Sequence, residues 1–184
     1  MSVILGFATT KFGIIASDGR FKDSNGNIVN ENFDKTIRLN DNVIAGFAGH
    51  SKPCIQMIVE LQKLYPIADM SLEQILEVMS FRLPQIAQDK LASFLLLGKN
   101  MRNQIQLNGI GTHTNFLPIK KIPDNDSHSY MTINPPGIDA DTIFINTLLE
   151  FHPDIQKGID YTILKISRLT DCVNNIRFQK DFFL

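Results

Sequence analysis

The alternation of two periodicities along this chain limits its possible folds more than any single residue does. Ser2 to Thr9 and Phe12 to Ser17 are apolar runs joined by a brief polar turn, which predicts a hairpin with at least one buried face. Asp23-Ser-Asn-Gly-Asn27 predicts a second turn, between short strands near Phe21 and Ile28. Lys35 to Leu39 alternates, and Asn40-Asp-Asn42 turns it into Val43-Ile-Ala-Gly-Phe-Ala48. Gly49 to Pro53 then switches to helical spacing, with Ser51 as N-cap and Pro53 placed where a missing N–H costs nothing; that helix should end near Tyr65. Ser71 caps a second helical stripe (Leu72, Ile75, Leu76, Met79, Leu83, Ile86), which Pro84 should kink or divide. Further strands are expected at Ser93 to Leu97, Gln104 to Leu107, Asn115 to Ile119 and Ser129 to Ile133. Two more helices follow, Ile138 to Glu150 and Pro153 to Leu169, and then a closing strand from Val173 to Phe178. With strands in hairpins and helices in pairs, a doubly wound parallel sheet fits poorly. The order predicts an α+β chain, a four-layer αββα sandwich of two antiparallel sheets flanked by helix pairs. No repeat or linker interrupts the pattern, and 184 residues suffice for one well-buried core, so 1–184 is expected to form a single domain.

Charge and composition exclude several functions. The formal net charge is -1 and like charges do not cluster, so neither nucleic acid nor an anionic membrane surface is expected as partner. The apolar stretches are strand-sized, which predicts no membrane-spanning helix. Residues 1 to 20 lack a basic start, and their apolar run is cut by Gly6, Thr9, Thr10 and Lys11, so no signal peptide is expected. Cys54 and Cys172 read as reduced packing thiols, one of which could border a site; the expected location is the cytoplasm. His50, His113, His128 and His152 lack metal-ligand spacing, and no metal or cofactor is expected. Gly109-Ile-Gly111 is too short for a dinucleotide fingerprint. Gly49-His-Ser51 is not a nucleophile elbow, because Pro53 stands where its second glycine belongs.

The start of the chain carries the chemistry. Loss of Met1 would leave Ser2 with a hydroxyl and a free α-amine, so that one residue supplies both nucleophile and base. An α-amine with an ordinary pKa of about 7.7–8.0 is partly neutral at physiological pH and suits the task. A buried Lys35 ammonium would draw both groups toward their deprotonated forms, and Asp18 would hold that ammonium.

Three local patterns resemble the proteasome β-subunit family of N-terminal-nucleophile hydrolases, in particular its HslV type, the bacterial two-ring peptidase that works with an AAA+ unfoldase. Ser2 stands where the family begins its mature chain with Thr. Asp18-Gly19-Arg20 stands at its Asp signature. Lys35-Thr-Ile-Arg-Leu followed by Val43-Ile-Ala-Gly-Phe-Ala-Gly49 resembles its lysine strand and small-residue strand. The resemblance implies Ser2 as nucleophile, Asp18 and Lys35 as the pair that tunes it, and the Gly49 N–H as oxyanion donor. Phe47 would line the first specificity pocket, with Arg20, Phe21, Phe33 and Ser51 beside the substrate and apolar or bulky P1 side chains preferred. Asp171-Cys-Val-Asn174 falls where many members place Asp-x-x-Ser beside the nucleophile.

The sequence departs from the family at Ser2 for Thr, at Asn174 for Ser, and at Thr132-Ile-Asn-Pro-Pro-Gly137, where a Gly-Ser-Gly is usual. Only Met1 precedes Ser2, so methionine aminopeptidase alone would complete maturation. The resemblance further implies a peptide or unfolded protein substrate, a homo-oligomeric ring enclosing its sites and, by analogy, an AAA+ unfoldase. Two other readings stay open: a non-catalytic ring subunit that kept the fold, and an N-terminal-nucleophile hydrolase of small amides.

Overall fold

A computed structural model describes every residue except Met1, Ser24 and Asp126. The opening hairpin pairs β1 (Ile4–Ala8) with β2 (Phe12–Asp18). Strand β10 (Ser129–Ile133) flanks β1 and strand β11 (Arg177–Phe183) flanks β2, giving an antiparallel four-stranded sheet ordered β10-β1-β2-β11. The second sheet is an antiparallel meander of β5 (Thr36–Asn40), β6 (Val43–Gly49), β7 (Ala92–Lys99), β8 (Ile105–Gly111) and β9 (Ile119–Lys121). Between β2 and β5 the short pair β3 (Phe21–Lys22) and β4 (Ile28–Asn30) stands apart from both sheets. Helices α1 (Ser51–Leu64) and α2 (Leu72–Ala87) follow β6, and α3 (Ala140–Phe151) and α4 (Ile155–Ser167) follow β10.

The period of two sorts the strand residues into three apolar layers. Ile4, Ile15, Ile44, Leu95, Leu97 and Leu107 meet between the sheets. Val3, Leu5, Phe7 and Ile14 face the other way, onto Phe144, Leu148, Ile159 and Ile163 of α3 and α4. Val43, Ala45, Phe94 and Leu96 pack beneath Met57, Leu61, Ile75 and Met79 of α1 and α2. Each large apolar side chain so buried contributes about 1.5–3 kcal/mol. The helix pairs are tied at their margins by Arg82–Glu60 and Lys165–Glu150. This is the expected αββα sandwich.

Element limits differ from the sequence reading where side chains compete for backbone groups. His50, not Ser51, is the N-cap of α1, and its side chain makes no capping bond. Ser71 and Gln74 form a capping box at α2, as Ser-x-x-Gln predicts. Pro84 does not divide α2: it lies in the last turn, and the helix closes three residues later with the Gln88 N–H donating to the Pro84 carbonyl. Asp139 and Asp154 accept from Thr142 N–H and Lys157 N–H, which delays the starts of α3 and α4 to Ala140 and Ile155. No strand runs from Asn115 to Pro118: Asn115 and Phe116 both have left-handed φ, of 50° and 60°, and β9 starts only at Ile119. The closing strand begins at Arg177 rather than Val173, because Asn174 is occupied in bonding loops.

Candidate active site

The first sheet supplies the floor of the site. Ser2 precedes β1 and Asp18 ends β2, so hairpin pairing brings the two together across the sheet, with the Val3 N–H donating to Asp18 Oδ1 at 3.1 Å. Lys35 enters from the residue before β5. Its ammonium donates to the Asp18 carbonyl at 2.9 Å and lies 3.1 Å from Asp18 Oδ2. The side chains of Asp18 and Lys35 are 0% and 4% exposed. A buried pair of this kind persists only when its remaining polar atoms are satisfied. Asp18 meets that condition: Oδ2 also accepts the Arg20 N–H at 2.9 Å. Burial pushes the Lys35 amine below its ordinary pKa, opposed by the Asp18 charge. Burial likewise raises the Asp18 carboxyl, against the pull of Lys35 and of the N–H groups of Arg20 and Val3.

Behind Asp18, a polar network fixes the turn that follows it. Asn174 Oδ1 accepts the Gly19 N–H at 2.9 Å, and its Nδ2 donates to the Glu31 carbonyl at 2.8 Å and to Glu31 Oε2 at 2.6 Å. The Arg20 guanidinium donates through Nε to both Glu31 oxygens and through NH1 to the Asp171 carbonyl. The exposed Asp171 carboxylate takes the Lys22 ammonium at 2.8 Å. The Arg20 bond holds Glu31, and the Lys22 bond holds Asp171, below the usual carboxylate range.

In front of Lys35 opens a cavity of about 590 Å³ lined by Ser2, Lys35, Gly49 and Ser51, with Phe21, Phe33 and Phe47 on its aromatic side. These rings stack in series: Phe21 on Phe33 with centroids 5.0 Å apart, then Phe33 edge-on to Phe47 at 6.4 Å. Ser2 is 7% exposed. Gly49, at the end of β6, has φ of +119°, and a Cβ there would stand 2.4 Å from the Leu91 carbonyl, so only glycine fits. The next residue caps α1, whose first turn holds no acidic side chain, leaving the positive end of the helix dipole uncompensated at this wall.

Of the residues singled out in the sequence, Ser2, Arg20, Phe21, Phe33, Lys35, Phe47, Gly49 and Ser51 line this cavity. Asp18 lies behind Lys35, while Asp171 and Asn174 act on the 18–22 turn rather than lining the space. Met1 lies outside the described residues. The sequence reading missed Glu31, Lys52, Lys90, Leu91 and Pro136. Leu91 arrives because Gly49 pairs with Ala92, a register visible only once β6 and β7 are joined. Cys172 borders the cavity, whereas Cys54 is buried and its thiol is pushed up to about 12. Among the described residues no group of three or more His, Cys, Asp or Glu could hold a metal ion, and no helix is long and apolar enough to cross a membrane.

Two antiparallel sheets face to face, with a helix pair on each, form the four-layer fold of proteasome-type N-terminal-nucleophile hydrolases. The comparison with solved structures agrees. Eukaryotic HslV from Trypanosoma brucei matches with a TM-score of 0.68 over 99% of both chains, at 15% sequence identity. No protein-family model and no curated protein matches the chain. The chain therefore has the HslV fold at 15% sequence identity.

Proposed function

We propose that this chain is a proteasome-like N-terminal-nucleophile peptidase that acts once Met1 has been removed. Ser2 Oγ adds to a peptide carbonyl carbon, and its proton passes to the Ser2 α-amine. The Gly49 N–H receives the resulting oxyanion; such a donor is typically worth about 10²–10³ in rate. Collapse breaks the C–N bond, and the leaving amine takes the proton from the Ser2 ammonium. Water, deprotonated by the same amine, then attacks the ester, releasing the second product and restoring Ser2. Lys35 carries its charge beside Ser2 throughout and keeps the hydroxyl and amine easier to deprotonate.

The observation that supports this most directly is the buried Lys35 ammonium, held by two oxygens of Asp18 at the wall of the Ser2 cavity. A charge is buried at such cost chiefly where it serves a neighbour. The aromatic row of Phe21, Phe33 and Phe47 suits apolar P1 side chains. Asp171 and Asn174 complete the site by holding the turn after Asp18. By analogy with the HslV type, the protein works in the cytoplasm as a homo-oligomeric ring, on unfolded chains delivered by an AAA+ unfoldase.

One feature favours a second reading: Asn174 spends its amide on Gly19 and Glu31, a framework role that a non-catalytic ring subunit would equally keep. A small-amide hydrolase would differ in assembly, being open rather than a closed chamber. The test is Ser2→Ala. Hydrolysis of a fluorogenic peptide should fall to background while the melting temperature and assembly stay as in the wild type. Turnover that survives the change would rule out Ser2 as nucleophile.

A further inference from the structure

Glu31 lies outside the cavity, yet two separate stretches of chain, residues 19–20 and Asn174, converge on it. Its carboxylate accepts Arg20 Nε at 3.2 and 3.1 Å and pairs with Arg20 NH2 at 3.0 Å. The same carboxylate accepts Asn174 Nδ2, a donor 143 residues away, while the Glu31 carbonyl takes a second bond from that nitrogen. The backbone at Glu31 sits flush against Gly19: a Cβ on Gly19 would come within 2.6 Å of the Glu31 carbonyl oxygen. Both backbone groups of Gly19 are then fixed from either side, its N–H by Asn174 and its carbonyl by the Phe33 N–H at 2.9 Å.

The Gly19 N–H shares its peptide unit with the Asp18 carbonyl, and the Gly19 carbonyl shares the next one with the Arg20 N–H. The Asp18 carbonyl and Asp18 Oδ2 are the two acceptors of Lys35, and the Arg20 N–H holds Oδ2 in place. Rotation of the Asp18–Gly19 peptide would withdraw one acceptor from Lys35 directly and loosen the other. Arg20 and Asn174 both present donors, and among the described residues Glu31 is the single carboxylate that meets them together. Arg20 is 19% exposed at its side chain and can turn to water, but Asn174 is 6% exposed and would keep only its bond to the Glu31 backbone carbonyl.

We propose that Glu31 is a positioning residue of the Ser2 site: by receiving Arg20 and Asn174 it sets the 18–20 backbone that presents both Asp18 oxygens to Lys35. This rests on the reading of Ser2 as nucleophile assisted by Lys35. Glu31 does not line the cavity, so its loss acts chiefly on kcat through the Asp18–Lys35 pair, with KM moving only as far as Arg20 shifts. A misplacement of about 1 Å in such a support can cost about 10²-fold in rate. Glu31→Gln keeps the shape but leaves only one side-chain accepting oxygen for two donors; Glu31→Ala leaves no side-chain acceptor, and Asn174 keeps only the backbone carbonyl.

The experiment uses the full-length protein with Met1 removed, as wild type, Glu31→Gln, Glu31→Ala and Glu150→Gln. Glu150 supplies the control, because it makes an exposed ion pair with Lys165 away from the site. Two quantities are read: kcat and KM on a fluorogenic peptide, and the ¹⁵N signal of the Lys35 ammonium, which needs no turnover. The expected result is a kcat lowered by roughly 10- to 100-fold with a much smaller change in KM, and a shifted or exchange-broadened Lys35 signal, in both Glu31 variants and not in Glu150→Gln. Should Glu31→Ala fail to fold, Glu31→Gln decides alone. Wild-type kcat together with an unchanged Lys35 signal in Glu31→Gln would overturn the proposal and leave Ser2 chemistry intact. If the wild type shows no Ser2-dependent hydrolysis, the peptidase reading fails, and the Lys35 signal by itself then upholds or overturns the positioning role.

Discussion

Two cavities of similar size open at opposite ends of the β1–β2 hairpin, about 590 Å³ beside Ser2 and about 500 Å³ beside the Thr9–Lys11 turn. They differ in what stands behind them. Behind the first, a carboxylate and an ammonium are withdrawn from water and bonded to each other, and the surrounding loops bond to fix that pair. The second is backed by apolar core, with Phe7 and Leu148 in its floor, His128 stacked on Phe7 at 5.4 Å, and Lys11 and His152 at an open rim. Nothing charged is buried there among the described residues. The lesson is that the two cavities are alike in volume and differ in buried charge. The pair behind the first must offset its desolvation by specific bonding, which makes that end the functional-site candidate.

If the comparison holds, perturbing the two ends should separate stability from activity. The largest effect is expected at the ion pair. Lys35→Met leaves the Asp18 carboxylate buried without its partner, and should cost about 3–5 kcal/mol of unfolding free energy. It should also lower kcat by about 10²–10⁴-fold, as loss of a group that assists proton transfer does. Adding Asp18→Asn should restore most of the stability, since the lone charge is gone, and none of the turnover. Denaturant unfolding and peptide hydrolysis measured on the same three proteins check both halves. Recovery of activity in the double variant would break the distinction between the two ends.

The smallest effect is expected at the far cavity. His128→Ala removes the ring stacked on Phe7, which should cost about 0.5–1.5 kcal/mol with kcat/KM unchanged. A fall in kcat/KM at constant assembly would mean that the far cavity is coupled to the reaction.

The same contrast explains how much of the molecule was legible in its sequence. The sandwich was legible because each strand is sorted by a period of two into a helix-facing and a sheet-facing set, as Leu5 and Phe7 against Ile4 show. Ser2, Asp18, Lys35 and Gly49 were legible because they fall within short segments of distinctive order, and all four meet at one end of the hairpin. What stayed hidden depended on contacts between distant segments. Glu31 follows the exposed strand β4 and carries no periodic signal; only its bonds to Arg20 and Asn174 give it meaning. The start of β11 was misplaced for a related reason. Val173 and Ile176 are β-branched, but Asn174 between them is drawn to Gly19 and pairing begins at Arg177, opposite Asp18. Asn115 and Phe116 likewise adopt left-handed turns that residue type alone does not specify, least of all for phenylalanine.

The central claim, that Ser2 supplies both hydroxyl and amine, is tested most directly by the intact mass of the untagged protein before and after treatment with a peptide epoxyketone. The account predicts a mass short by one methionine, followed by addition of one inhibitor that bridges the Ser2 oxygen and nitrogen. A protein that retains Met1 and takes up no inhibitor would contradict it, because Ser2 would then have no amine to serve as base.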